Sequence, residues 1–91
     1  MLDERRLDFP DDSESYDSMR EVIVFEGVDG AKSVRCAISR EALEDHFGRG
    51  NNSWLKMYRA NRGYIQHQAR RKYLLRELEP DQSVLVKTLD F

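Results

Sequence analysis

The chain has 91 residues, of which 40% are hydrophobic and 35% charged, with a net charge of −2. That length allows one small core and one domain, and no apolar run approaches the ~20 residues that cross a bilayer. A single cysteine, Cys36, excludes an intramolecular disulfide and a cysteine-cluster metal site.

The first 20 residues are mostly polar and acidic, with Leu7, Phe9 and Tyr16 as apolar anchors. They lack the apolar core of a secretory signal, so a cytoplasmic chain is expected. Pro10 favours an extended approach to Phe9, and the run Asp11-Asp12-Ser13-Glu14-Ser15 reads as an exposed loop. The first half-dozen residues are expected to be disordered. The domain organisation is therefore an acidic extended segment, 1–20, followed by a single α+β domain, 21–91.

Residues 21–26 and 33–38 are rich in β-branched and apolar side chains and flank Asp29-Gly30, the preferred pair for a tight hairpin turn. A turn at that pair sets Phe25 opposite Val34 and Ile23 opposite Cys36, with all four on one face. Ser39 is placed to cap a short helix that carries Glu41 in its first turn and stops at Gly48. Arg49-Gly50-Asn51-Asn52 follows as a flexible connector.

Ser53 caps the next element, the longest helical pattern in the chain, running to about Leu78. Its expected core stripe is Trp54, Leu55, Tyr58, Ile65, Ala69 and Tyr73, and Pro80 ends the pattern. Residues 83–91 read as a third strand, with Leu85, Leu89 and Phe91 on one face. The order ββααβ implies an α+β two-layer fold, in which a small antiparallel sheet of the hairpin plus the C-terminal strand packs against a short and a long helix.

Several of these residues recur together in a known pattern. Phe9-Pro10, Tyr16-Asp17, a strand ending in Phe25 and Val34 through Ser39 form one half of it. Glu41-Ala42-Leu43, Phe47-Gly48, Asn61-Arg62 with Ile65 and Ala69 behind, and Leu89-Asp90-Phe91 form the other. The chain thus resembles the small bacterial family filed as domain of unknown function 1488, over nearly its whole length. The resemblance implies a compact α+β fold and brings no activity. Against the family pattern, Tyr58 stands where a Phe opens the long-helix motif, and Gln66 where an acid is common.

Charge is distributed unevenly. Residues 1–48 carry thirteen acids and six bases, residues 49–76 eight bases and no acid, and residues 77–91 four acids and one base. One reading is self-complementarity, with the acidic flank lying near the basic helix. The other is a polyanion partner. The candidate binding surface is Lys56, Arg59, Tyr64, Arg70, Arg71 and Lys72, joined by Arg49 in the connector. Cations beside an aromatic suit phosphate contact with stacking, and equally a partner protein. Arg62 falls inside the predicted core stripe, where an unpaired charge is costly. An ion pair with Asp17 or Asp90 is expected there.

Catalytic and metal chemistry find little support in the sequence. Cys36, His46 and His67 lie on separate elements without ligand spacing, and a Cys36–His46 nucleophile pair is undercut by the cysteine's place on the core face. The acid pairs Asp3-Glu4 and Asp11-Asp12 sit on an unanchored stretch, unsuited to general acid–base work. The expectation is a non-enzymatic interaction or regulatory module without a cofactor. The surfaces that suggest self-association as a homodimer are the second strand face, Val22 and Val24, together with the Met57, Tyr64 and Leu75 flank. The alternative is a nucleic-acid-binding module that uses the basic helix face.

Overall fold

The computed structural model describes residues 7–48 and 53–91; the expectations for residues 1–6 and for the connector 49–52, Arg49 included, lie outside the described residues. The hairpin forms from β2 (Val22–Asp29) and β3 (Lys32–Ser39). Its turn is Gly30-Ala31 rather than Asp29-Gly30, with Gly30 at φ 62°. A positive φ at the first turn residue is the type II′ requirement that glycine meets without strain. Asp29 instead ends the ladder opposite Lys32, and its carboxylate accepts a hydrogen bond from the Tyr73 hydroxyl at 2.6 Å. The register therefore moves by two residues, to Phe25 opposite Cys36 and Ile23 opposite Ile38. A shift of two preserves the faces, so Ile23, Phe25, Val34 and Cys36 all remain buried on the core side.

The sheet is larger than expected, and it is mixed. Within the acidic segment, Ser15–Asp17 forms β1 and pairs antiparallel with β2, Tyr16 lying opposite Ile23. At the far edge, β4 (Val84–Val86) pairs parallel with β3, giving the order β1-β2-β3-β4. The expected all-antiparallel sheet fails here because helices carry the chain from the end of β3 back to the end where it began. A strand following such a crossover must run parallel. β4 is also shorter than the predicted strand. Thr88–Asp90 folds into a 3-10 turn in which the Asp90 carboxylate accepts from the Lys87 amide at 2.7 Å, and Leu89 is left 95% exposed.

The helices lie on one face of the sheet. Ser39 caps α1 (Arg40–Phe47) by accepting from the Ala42 amide, and Gly48 ends it at φ 101°. Ser53 caps α2 (Trp54–Ala60) through the Leu55 amide. The expected single long helix breaks at Asn61, and α3 spans Arg62–Leu74. Asn61 adopts φ −122° and ψ 21°, donates its side-chain amide to the Met57 carbonyl at 2.8 Å, and offers its own carbonyl to the Ile65 amide. It closes one helix and opens the next. The local propensity dip at Gly63 is not where the break falls.

Tyr58, Ile65, Ala69 and Tyr73 supply the buried helix side of the core, whereas Trp54 and Leu55 are only half-buried. Leu7, fully buried, packs so closely against Gly27 that a Cβ there would stand 2.8 Å from Leu7 Cδ1. Among the described residues the outcome is a two-layer α+β fold with a four-stranded mixed sheet and three helices.

Candidate functional site

The basic helix surface is largely occupied by the chain itself. Reciprocal backbone bonds between Asp8 and Val28, at 2.9 and 2.7 Å, anchor residues 7–14 at one end, and β1 anchors them at the other. The resulting strap runs beside α2 and α3. Arg70 donates through Nε to the Leu7 carbonyl at 3.0 Å and lies over the Phe9 ring. Arg59 donates through Nε to the Glu14 carboxylate at 2.8 Å.

Glu14 is the centre of this arrangement. Its side chain is only 2% exposed, between Arg59 and an Arg62 nitrogen at 3.8 Å. The charge-assisted hydrogen bond from Arg59 holds its carboxyl below the usual range, and the Arg62 charge acts in the same direction. Arg62 also lies 3.8 Å from Asp11. The expected partners Asp17 and Asp90 are both engaged elsewhere. Asp17 accepts from the Met19 and Arg20 amides in a local turn, and Asp90 pairs with Lys72. The change of partner follows from the break at Asn61, which makes Arg62 the first residue of α3. A cation at that end opposes the helix dipole, and the carboxylates of Asp11 and Glu14 compensate both.

Lys72, expected on the binding surface, is instead buried. Its ammonium donates to the Leu85 carbonyl at 2.8 Å and to Asp90 at 2.7 Å, tying β4 and the 3-10 turn to α3. Burial raises the Asp90 carboxyl, but Lys72 and the Lys87 amide outweigh it and leave it below its ordinary value. Of the six predicted surface residues, Lys56, Tyr64 and Arg71 keep exposed side chains with no ion pair or hydrogen bond among the described residues. Tyr64, 62% exposed, touches the rings of Phe47 and Phe91 edge-on. Met57 and Val22, both expected at a self-association surface, are buried, while Leu75 is 55% exposed.

The remaining chemistry-bearing groups are separate from one another. Cys36 is fully buried, and desolvation pushes its thiol up to about 12. The His46 ring bonds the Thr88 carbonyl and packs on Phe91. Among the described residues, no three His, Cys, Asp or Glu side chains converge as a metal site. None of their helices is long and apolar enough to cross a membrane.

Sequence reasoning missed Glu14 because the run around it has the composition of a solvated loop. The charge asymmetry was the available signal, and it pointed to the correct pair of segments without naming the residue.

The class defined by this arrangement is a small two-layer α+β domain whose acidic N-terminal strap neutralises its own basic helix. Residues 7–86 match the family described as "Protein of unknown function (DUF1488)", and the chain belongs to that family. A crystal structure of a protein of unknown function from the same family, from Shewanella loihica PV-4, superposes with a TM-score of 0.82 at 19% identity. The match covers 94% of this chain and 96% of the other. At that identity the likeness concerns the fold. No curated protein matches the chain.

Proposed function

We propose that the chain is a small, non-enzymatic protein-interaction module, and that nucleic acid is not its ligand. The observation that carries this reading is the internal engagement of the basic helix: Arg59, Arg70 and Lys72 donate to acceptors within the chain, and Arg62 lies 3.8 Å from the carboxylates of Asp11 and Glu14. A phosphate backbone is held by several cations acting together, and each cation already neutralised is lost to that purpose. Lys56 and Arg71 alone make a sparse footprint. The non-enzymatic part draws support from Cys36, an inert buried thiol. A cytoplasmic setting belongs to the same reading, since the only cysteine is free.

The test is fluorescence anisotropy with labelled single- and double-stranded DNA and RNA across a salt series. The expected result is no binding beyond weak, non-specific association. Tight binding that falls steeply with salt and disappears in the double variant Lys56→Glu, Arg71→Glu would overturn the reading in favour of a nucleic-acid module.

A further inference from the structure

β3 is longer than the strand at its outer side. β4 pairs only with residues 36–38, so residues 32–35 have β2 on one side and, among the described residues, no strand on the other. Carried on, the parallel register would set Gln82 beside Val34 and Ser83 beside Arg35. The chain turns away there instead. Gln82 takes φ 73°, and its amide bonds the Glu79 carbonyl at 2.8 Å. The Ser83 amide donates to the Asp81 carboxylate at 3.0 Å, and the Ser83 carbonyl accepts from the Glu79 amide at 2.8 Å. Between this turn and β3 lies a groove of about 450 Å³, lined by residues 32–35 and 81–83.

The main chain of β3 is unfinished along that groove. In a hairpin closed by Asp29 and Lys32 those two residues bond each other, and alternate residues of β3 point their amide and carbonyl away from β2. Ser33 and Arg35 belong to that set, as does Ala37, which meets β4. The Ser33 amide and carbonyl and the Arg35 amide thus face the groove with no partner among the described residues. We infer that this groove takes an extended acidic segment of a partner protein as an added strand. The inference rests on the interaction-module reading and names the chemistry of the partner.

The groups on offer select the occupant. The main chain of a strand brings donors and acceptors in alternation, which is what an amide, a carbonyl and a further amide in sequence require. A phosphate backbone brings acceptors alone and would leave the Ser33 carbonyl bare. Charge is selective too. Lys32 and Arg35 flank the edge, both exposed and without an ion pair among the described residues. Asp81, the acid in the groove, is turned to its own Ser83, whose hydroxyl donates to it at 2.6 Å. Glu26, opposite Arg35 on β2, accepts from the Ser33 hydroxyl. Arg35 also borders a depression on the outer sheet face, whose other cation, Arg20, has no ion pair either and acts on Asp81 only at longer range. An acidic side chain on that face of the added strand therefore meets uncompensated positive charge. A second copy of the chain is disfavoured, because it would bring two sets of Lys32 and Arg35 to one edge. The open edge is about 13 Å long at about 3.3 Å per residue. So short a contact is weak, with a dissociation constant on the order of hundreds of micromolar.

The probe is the capped peptide Val-Glu-Val-Glu-Val, titrated into isotope-labelled protein while the amide resonances are followed. The Ser33 and Arg35 amides are expected to shift and to exchange with solvent more slowly, with residues 81–83 responding beside them. The fully N-methylated peptide keeps every carboxylate and loses every donor, so its affinity is expected to fall at least about tenfold. The peptide Val-Lys-Val-Lys-Val is expected to bind at least about fivefold more weakly. Ser33→Pro removes the donor at a position that makes no main-chain bond to β2, so the thermal midpoint is expected to hold within a few degrees while the shifts disappear. Equal binding of the methylated peptide overturns strand addition, and equal binding of the lysine peptide overturns the acidic partner. No response at several times the expected dissociation constant overturns the groove itself. Each of these outcomes leaves the module reading standing. Failure of the module reading has a different signature, the salt-steep nucleic-acid binding described above.

Discussion

Glu14 concentrates the electrostatics of the molecule in one side chain. A carboxylate that is 2% exposed would destabilise the fold if left alone, and here it is answered by Arg59 at 2.8 Å and Arg62 at 3.8 Å. Its folded pKa lies below the ordinary 4.5, so the unfolded chain binds the proton more readily. Its contribution is therefore complete above about pH 4.5 and is lost as the pH falls from there through the folded value. Glu14→Gln is expected to cost about 2 kcal/mol at neutral pH, the scale of a hydrogen bond to a charged group. Urea melts between pH 7 and pH 3 should show a shallower acid loss for the variant than for wild type, with the Asp90 share remaining. Equal slopes would show that Glu14 does not carry the acid sensitivity. A second residue-level fit concerns Tyr58, 1% exposed, whose hydroxyl accepts from the Gln66 amide at 3.0 Å. A Phe at position 58 would need no such donor, and a Tyr does. Burial pushes this phenol up to about 12.

At the scale of elements, the strap and sheet are joined by close packing as well as by charge. Leu7 Cγ, Cδ1 and Cδ2 would lie 3.0, 2.8 and 3.3 Å from a Cβ at position 27, and Leu7 is fully buried, so it has no free space to swing into. Gly27→Ala is expected to destabilise by roughly 1–3 kcal/mol through overpacking. Combined with Leu7→Ala, it should cost less than the two single changes added together, because the shortened side chain removes the clash and the added methyl fills part of the space it leaves. Strict additivity in a double-mutant cycle of thermal melts would show that the close approach is not the source. The break at Asn61 has consequences on the same scale. It brings Arg62 to the start of α3, within reach of Asp11 and Glu14.

For the whole molecule, the strap makes residues 7–14 a working part of the domain. Leu7 fills the core, Asp8 bridges Val28, Phe9 packs 5.9 Å from Phe25, and Glu14 locks the two helices. Deleting residues 1–14 should lower the melting temperature by about 15 °C, from the lost Leu7 burial and the broken ion pairs. It should also increase salt-sensitive retention on heparin, since Arg59 and Arg70 lose their acceptors and Arg62 loses its neighbouring carboxylates. Unchanged stability and retention would show that the strap is dispensable and that the domain begins after it. The overall net charge of −2 conceals this arrangement because opposite charges are paired across more than 40 residues of sequence.

Much of the α+β architecture was legible in the sequence because it depends on local rules. Alternation in 21–26 and 33–38 marked the hairpin and its buried face, Ser39, Gly48 and Ser53 marked helix ends, and the spacing of Tyr58, Ile65, Ala69 and Tyr73 marked the core side. These signals act over a few residues, and tertiary context did not reverse them. Contacts between distant segments were decided by the tertiary structure. The three-residue β1 has no strand signature of its own and exists because β2 offers it an edge. The parallel pairing of β4, the burial of Lys72 against Asp90 and the choice of Glu14 over Asp17 each depend on where a remote element lies. Periodicity shows which way a side chain points. Which acceptor it finds depends on the completed packing, and that is why Arg62 was recognised as needing an acid before the acid could be named.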